Sequence, residues 1–160
     1  MLTFEQMFLR FVIALVLGAL LGLERELVGK QAAGIRTTML VTSGATIFTM
    51  IALALPYIVS AQTNNLADVI ARNSGYLGMI GNIVVGIGFL GAGLIIKTDN
   101  HPHGVTTAAL IWMAAAIGIL VGVGLTQFAF AAAVVIAILL YLLRKLNVSQ
   151  SLEKEVKAGK

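Results

Sequence analysis

Residues 106–143 read TTAALIWMAAAIGILVGVGLTQFAFAAAVVIAILLYLL and hold no charged side chain. A bilayer crossing needs about 20 apolar residues, so this stretch is long enough for two. Gly124 separates the halves, which makes them a tight hairpin of spans. Inside lipid the backbone must satisfy its own hydrogen bonds, and helix does that within one segment. A β-barrel would need alternating polarity, and none is visible.

Outward from this hairpin, three more apolar runs cover residues 7–23, 38–59 and 76–96. With residues 106–123 and 125–143 they make five spans. Composition agrees: 59% of 160 residues are apolar, about 94, with 17 glycines besides and only 11% charged. An ordinary soluble domain carries roughly 25% charge. A soluble chain this short could not bury so much apolar surface. Mean hydropathy is +0.97. Soluble enzymes, nucleic-acid binders and secreted disulfide scaffolds are thereby disfavoured. The absence of cysteine excludes disulfides, thiolate zinc sites and thiol catalysis. The first run is a retained span rather than a signal peptide. Arg10 lies inside it, and it ends at Glu24-Arg25-Glu26 instead of a small-residue cleavage site.

The net charge of +4 reflects topology, because most basic residues flank spans. Nine of the 11 lysines and arginines lie on one side, in the first loop (Arg25, Lys30, Arg36), the third loop (Lys97) and the tail from Arg144. Arg72, and Arg10 if it joins that side, oppose them. The expected fold is therefore an all-α polytopic membrane protein with five transmembrane helices, N-terminus outside and C-terminus cytoplasmic. Residues 1–146 form the membrane domain and residues 147–160 a short cytoplasmic tail. No nucleic-acid partner is expected. The lipid bilayer is the partner that composition demands.

Small and polar residues mark helix contacts in lipid. Gly18 and Gly22 make a GxxxG pair in the first span. Gly118 and Gly122 make another in the fourth, with Ala114 one turn earlier. Either pair would allow a homodimer. In the second span Thr38, Thr42, Thr46 and Thr49 fall within an arc of roughly 80°. This stripe either hydrogen-bonds between helices or lines a polar path. Asn82, in the third span, is a plausible partner for it. The fifth span has only Tyr141 as a polar handle and reads as the most lipid-exposed helix.

The third span holds Gly86-Ile-Gly-Phe-Leu-Gly91-Ala-Gly93. Gly86, Gly88 and Gly91 match the dinucleotide fingerprint formally. That fingerprint needs a βαβ context which a membrane-length apolar run does not offer. Gly86 and Gly93 share one helix face, and Gly88 and Gly91 roughly the opposite one. Packing on both sides would make this span central. A locally unwound helix that binds an ion through its backbone is the other reading.

Charge clusters where the first span ends. Glu24, Arg25 and Glu26, with Arg36, could form a carboxylate–guanidinium network closing that end of the bundle. Glu26 could also pair with Lys30 on the same helix. Thr106 and Thr107 open the fourth span, and one of them is expected to cap it. Trp112 lies deeper, where core packing is expected and its indole N–H is expected to find a protein partner. Asp99, His101 and His103 share the third loop, where Pro102 sets a turn. No metal site is expected there, no cofactor is implied, and no catalytic arrangement is present.

Four blocks carry a resemblance. They are Gly22-Leu-Glu-Arg-Glu26, Gly34-Ile-Arg-Thr37, the third-span glycine block, and Gly104-Val-Thr-Thr-Ala-Ala-Leu-Ile-Trp112 followed by Ala115-Ala-Ile-Gly118. In order and spacing they resemble the MgtC/SapB family of bacterial inner-membrane proteins, over roughly residues 5–143. The resemblance implies a non-catalytic protein of the cytoplasmic (inner) membrane. It implies a role in magnesium homeostasis, in adaptation to acid or low-magnesium stress, and in virulence. Modulation of other membrane machinery, such as the F-type ATP synthase, is the implied mode. A small transporter or channel for a cation or solute is the alternative. Two departures stand out. Family members commonly carry an Asp-x-x-Arg pair near the positions of Gly75 and Gly78, whereas Asp68 and Arg72 lie upstream at another spacing. Many members also carry a C-terminal cytoplasmic domain, for which the short tail leaves no room.

Overall fold

The structure, a computed structural model, describes residues 2–28, 33–63, 74–98 and 101–145. They form five helices: α1 (Phe4–Val28), α2 (Ile35–Thr63), α3 (Ser74–Leu94), α4 (Val105–Val123) and α5 (Thr126–Lys145). A two-stranded antiparallel hairpin, β1 (Ile96–Thr98) and β2 (His101–His103), joins α3 to α4. The expected all-α membrane architecture is present. Four of the helices, α1, α2, α4 and α5, are long and apolar enough to cross a membrane, and α3 adds the apolar stretch Gly78–Leu94.

The helices outrun the apolar runs that announced them. Thr3 and Gln6 form a capping box before α1: Gln6 N–H donates to Thr3 Oγ1 at 3.3 Å, and Thr3 N–H to Gln6 Oε1 at 3.2 Å. Two orphan donors of the first turn are satisfied reciprocally. At the other end α1 runs through the charged cluster to Val28. The third loop, expected as a plain turn, is instead the hairpin, with Pro102 opposite Lys97.

The α4–α5 connection is as tight as the sequence implied. Gly124 adopts φ +105°. Its N–H donates to Val121 O and Leu125 N–H to Leu120 O. That is a Schellman closure, and the left-handed position favours glycine. At the opposite end of α4, Gly104 has φ +84°, and a Cβ there would run into the Leu94 carbonyl.

An apolar seam joins α1, α4 and α5. It consists of Ala14, Leu17 and Leu21, then Leu110, Ala114, Ile117 and Val121, then Ala129 and Ala133. Helix α2 is laid antiparallel to α1 and parallel to α4, between their small-residue faces. The outer surface is apolar, with Phe4, Val85 and Phe89 almost fully exposed. In lipid such a surface costs nothing, which is why the interior can be lined by threonine and glycine. Of the four long helices α5 is the least buried, as expected, and Tyr141 is exposed.

Helix α3 is not central. It packs along α2 and α4 at the edge of the bundle. A Cβ added at Gly86, Gly88 or Gly93 would meet nothing within 4 Å, and one at Gly91 only makes ordinary contact with Ala108 Cβ, at 3.6 Å. Glycine permits close approach but does not supply the neighbour. Nor is the helix unwound, since Ser74–Leu94 is continuous α-helix.

Candidate functional site

The threonine stripe of α2 meets both glycine pairs. A Cβ at Gly18 would lie 2.7 Å from Met39 Cα, and one at Gly22 2.6 Å from Ile35 Cα. On the other side a Cβ at Gly118 would lie 2.9 Å from Ala45 Cβ, and one at Gly122 2.6 Å from Thr49 Cβ. Both GxxxG faces are therefore filled within the chain and are not available to a second copy. Thr38, Thr42, Thr46 and Thr49 are fully buried between them.

Most of these hydroxyls are satisfied by backbone. Thr42 Oγ1 donates to Thr38 O at 2.8 Å, and Thr38 Oγ1 to Ile35 O at 3.0 Å. Thr46 Oγ1 has two acceptors, Thr42 O at 2.9 Å and Gly118 O at 2.8 Å. Its single proton is shared between them, and the second contact ties α2 to α4. Thr49 Oγ1 is buried without a hydrogen-bond partner.

The expected path through Thr42, Thr46, Thr49 and Asn82 is not assembled. Asn82 is exposed and faces a groove of about 480 Å³ between α2 and α3, lined by Leu40, Gly44, Phe48, Met79 and Gly86 among others. The buried threonines face the opposite side of α2, towards α1 and α4. One helix cannot present both sets to the same site.

The charge cluster forms only in part. Glu24 is 7% exposed and pairs with its neighbour Arg25, Nε to Oε2, at 2.6 Å. Arg36 is exposed and joins no ion pair among the described residues. Glu26 has a different task from the one expected. Its Oε2 accepts the Ile35 N–H at 3.2 Å and so caps α2. A carboxylate is favoured at a helix N-terminus by the orphan donors and by the dipole. A Cβ at Gly34 would meet this carboxylate, the movable end of an exposed side chain.

Two expectations about α4 are overturned. Gly104, with no side-chain hydrogen bond, occupies its N-cap, so neither threonine caps it. Thr107 is buried one turn in, and Thr106 is exposed. Trp112 is 48% exposed on the outer face, away from the small-residue contacts, and is not a core residue. His103 is exposed, and no cluster of metal-ligating side chains occurs among the described residues. Lys30, Asp68, Arg72, Asp99, Asn100, the His101 side chain and the tail 147–160 lie outside the described residues.

One functional side chain was passed over by the site reading. Arg10, inside α1, donates from Nη1 to Gly122 O at 2.7 Å. It supplies the C-terminal carbonyl of α4 with a donor the Schellman turn leaves wanting. The available signal was an arginine within a span, which rarely lacks a partner.

The sequence has matches among known proteins. The sequence profile of the MgtC family matches residues 11–149. The chain belongs to the MgtC family. It is 38% identical to Protein MgtC of Salmonella typhimurium over 137 residues, covering 86% of this chain and 52% of that protein. It is 37% identical to Protein MgtC of Brucella abortus over 133 residues, covering 83% of this chain and 49% of the relative. The chain thus spans about half the length of the curated relatives it matches. No solved structure matches. Family and helices together make it a multi-pass membrane protein of MgtC type.

Proposed function

We propose that this MgtC-family protein is a non-catalytic regulatory subunit of the bacterial inner membrane, with N-terminus outside and C-terminus cytoplasmic. It acts in magnesium homeostasis and in adaptation to low magnesium or acid, and in a pathogen contributes to virulence. Its mode is modulation of other membrane machinery, with the F-type ATP synthase as a candidate target. The observation that carries this reading is the closed threonine seam. Thr42, Thr46 and Thr49, which would line a solute path, are buried between glycine faces, and the Thr42 and Thr46 hydroxyls serve backbone carbonyls. The orientation is supported by charge: Arg25 in the last turn of α1, Arg36 in the first turn of α2 and Lys97 in β1 lie at one end of the bundle.

Flux in proteoliposomes tests the reading. Magnesium and proton flux are compared for protein-free vesicles, wild type and Glu24→Gln. The expected result is no flux above protein-free vesicles, together with restored low-magnesium growth when the wild-type chain is expressed in a deletion strain. Flux that Glu24→Gln abolishes would establish a transporter and sink the proposal.

A further inference from the structure

Arg10 carries a charge that the described residues only partly answer. A guanidinium offers five N–H donors. One, on Nη1, serves Gly122 O at the C-terminal end of α4. A helix C-terminus presents roughly half a negative charge. The single ion pair among the described residues is Arg25–Glu24, which lies at the far end of α1, so no described carboxylate pairs with Arg10. A half-buried cation in a membrane span without a full counter-charge is costly.

The surroundings indicate what completes it. Arg10 opens on a cavity of about 390 Å³ whose other walls are Leu2, Leu53, Ala54, Tyr57 and Val123. A second crevice, of about 250 Å³, lies between α1 and α2 and is wholly apolar. Met7, one turn before Arg10, borders it, with Ile47, Ile51, Leu55 and Ile58. The two share Ala54. From Ile47 to Ile58 the apolar crevice follows α2 for about 16 Å. A cationic pocket at the end of the bundle thus adjoins an apolar groove running along its lipid-facing flank.

We propose that this composite site binds one anionic phospholipid, its phosphate on the Arg10 donors that Gly122 O does not take and an acyl chain along the Met7–Ile51–Ile58 groove. Charge complementarity selects an anion, and the groove selects a lipid over a free phosphate. The bound lipid completes the neutralisation of Arg10 and fastens the start of α1 to the α4–α5 turn. The site lies apart from the threonine seam and does not depend on the proposed regulatory role.

Native mass spectrometry of the detergent-purified chain tests this, with phosphatidylglycerol, phosphatidylcholine and inorganic phosphate as probes. Wild type is expected to retain phosphatidylglycerol roughly tenfold more tightly than phosphatidylcholine, the scale of one charge-assisted contact. Arg10→Gln removes that preference and Arg10→Lys keeps most of it. Ala54→Phe blocks the junction of pocket and groove without touching the Arg10–Gly122 bond, and it weakens phosphatidylglycerol binding likewise. If Arg10→Gln fails to fold, Ala54→Phe decides alone. Unchanged phosphatidylglycerol binding in folded Arg10→Gln or Ala54→Phe overturns the proposal. So does displacement of the lipid by an equal concentration of inorganic phosphate, which would make this an anion site without a chain groove.

Discussion

Alanine at Gly118 and alanine at Gly86 should act in opposite directions, although both glycines lie in apolar helices and in blocks typical of the family. At Gly118 the new Cβ would stand 2.9 Å from Ala45 Cβ and 3.0 Å from Thr42 C, where ordinary contact begins near 3.4 Å. It would also collide with the Thr42 carbonyl oxygen, so helices α2 and α4 must part by on the order of 1 Å, and forcing extra volume into a packed interface costs about 1–3 kcal/mol. The same shift stretches the Thr46–Gly118 bond, now 2.8 Å, whose kind is worth about 0.6 kcal/mol on average in membranes. Against this, alanine gains up to about 1 kcal/mol of helix propensity. The net expectation for Gly118→Ala is a loss of about 1–2 kcal/mol. At Gly86 no atom lies within 4 Å of the added Cβ, so only the favourable helix term remains. Gly86→Ala should be neutral or stabilising by up to about 1 kcal/mol. Unfolding of the purified protein in mixed detergent micelles, followed by circular dichroism, gives both values. A stable Gly118→Ala, or a Gly86→Ala as damaging as Gly118→Ala, would refute the assignment of α2 and α4 as the tight pair and α3 as the loosely packed one.

The same measurement separates two threonines on one stripe. Thr46→Val removes a bridging hydroxyl and should cost about 0.5–1.5 kcal/mol, whereas Thr49→Val removes a buried hydroxyl without a partner and should be neutral or stabilising. Glu26→Ala should raise amide hydrogen exchange in the first turn of α2, losing about 0.5–2 kcal/mol of capping there, while Glu26→Gln retains an acceptor and most of the protection. Gly124→Ala should lower the midpoint of unfolding by about 1 kcal/mol or more, since φ +105° excludes a Cβ without strain. Glu24→Ala strands the 13%-exposed Arg25 side chain and should destabilise more than Glu24→Gln; equal effects would show that the pair contributes through packing alone.

Much of this was legible beforehand. The apolar runs gave the helices, the threonine spacing gave one inward face of α2, and the two glycine pairs gave contact faces without their partners. Which face met which was set by chain direction: α1 antiparallel and α4 parallel to α2 bring both glycine pairs to one stripe. The error at α3 has the same origin. A helical wheel shows that two faces are small, but neighbours are a tertiary fact, and Gly86, Gly88 and Gly93 have none within 4 Å of a Cβ. Trp112 could have been placed correctly from the wheel. It lies about 120° from Gly118, off the face that Ala114, Gly118 and Gly122 define. Depth along the helix was the wrong criterion. Glu26 was beyond reach, because its acceptor role depends on how the chain returns nine residues later to offer the Ile35 N–H.

The division of labour between helices follows from what lipid cannot do. With no hydrophobic force driving spans together, a membrane bundle is held by close backbone approach and by polar contacts. Helices α1, α2 and α4 have both: glycine pairs on either side of a threonine stripe, with Thr46 and Arg10 bonding to α4 carbonyls. Helix α3 has neither in comparable measure. Among its described glycines from Gly78 to Gly93 only Gly91 is near a neighbour, and its Asn82 amide faces the open α2–α3 groove. The third-span glycine block is thus the part of the chain that packing among the described residues explains least. The close contacts reside in the α1–α2–α4 seam, and α3 is the more loosely packed helix. A substitution scan should therefore separate into two classes: seam variants that lower stability and activity together, and α3 variants that alter activity in a protein still fully folded.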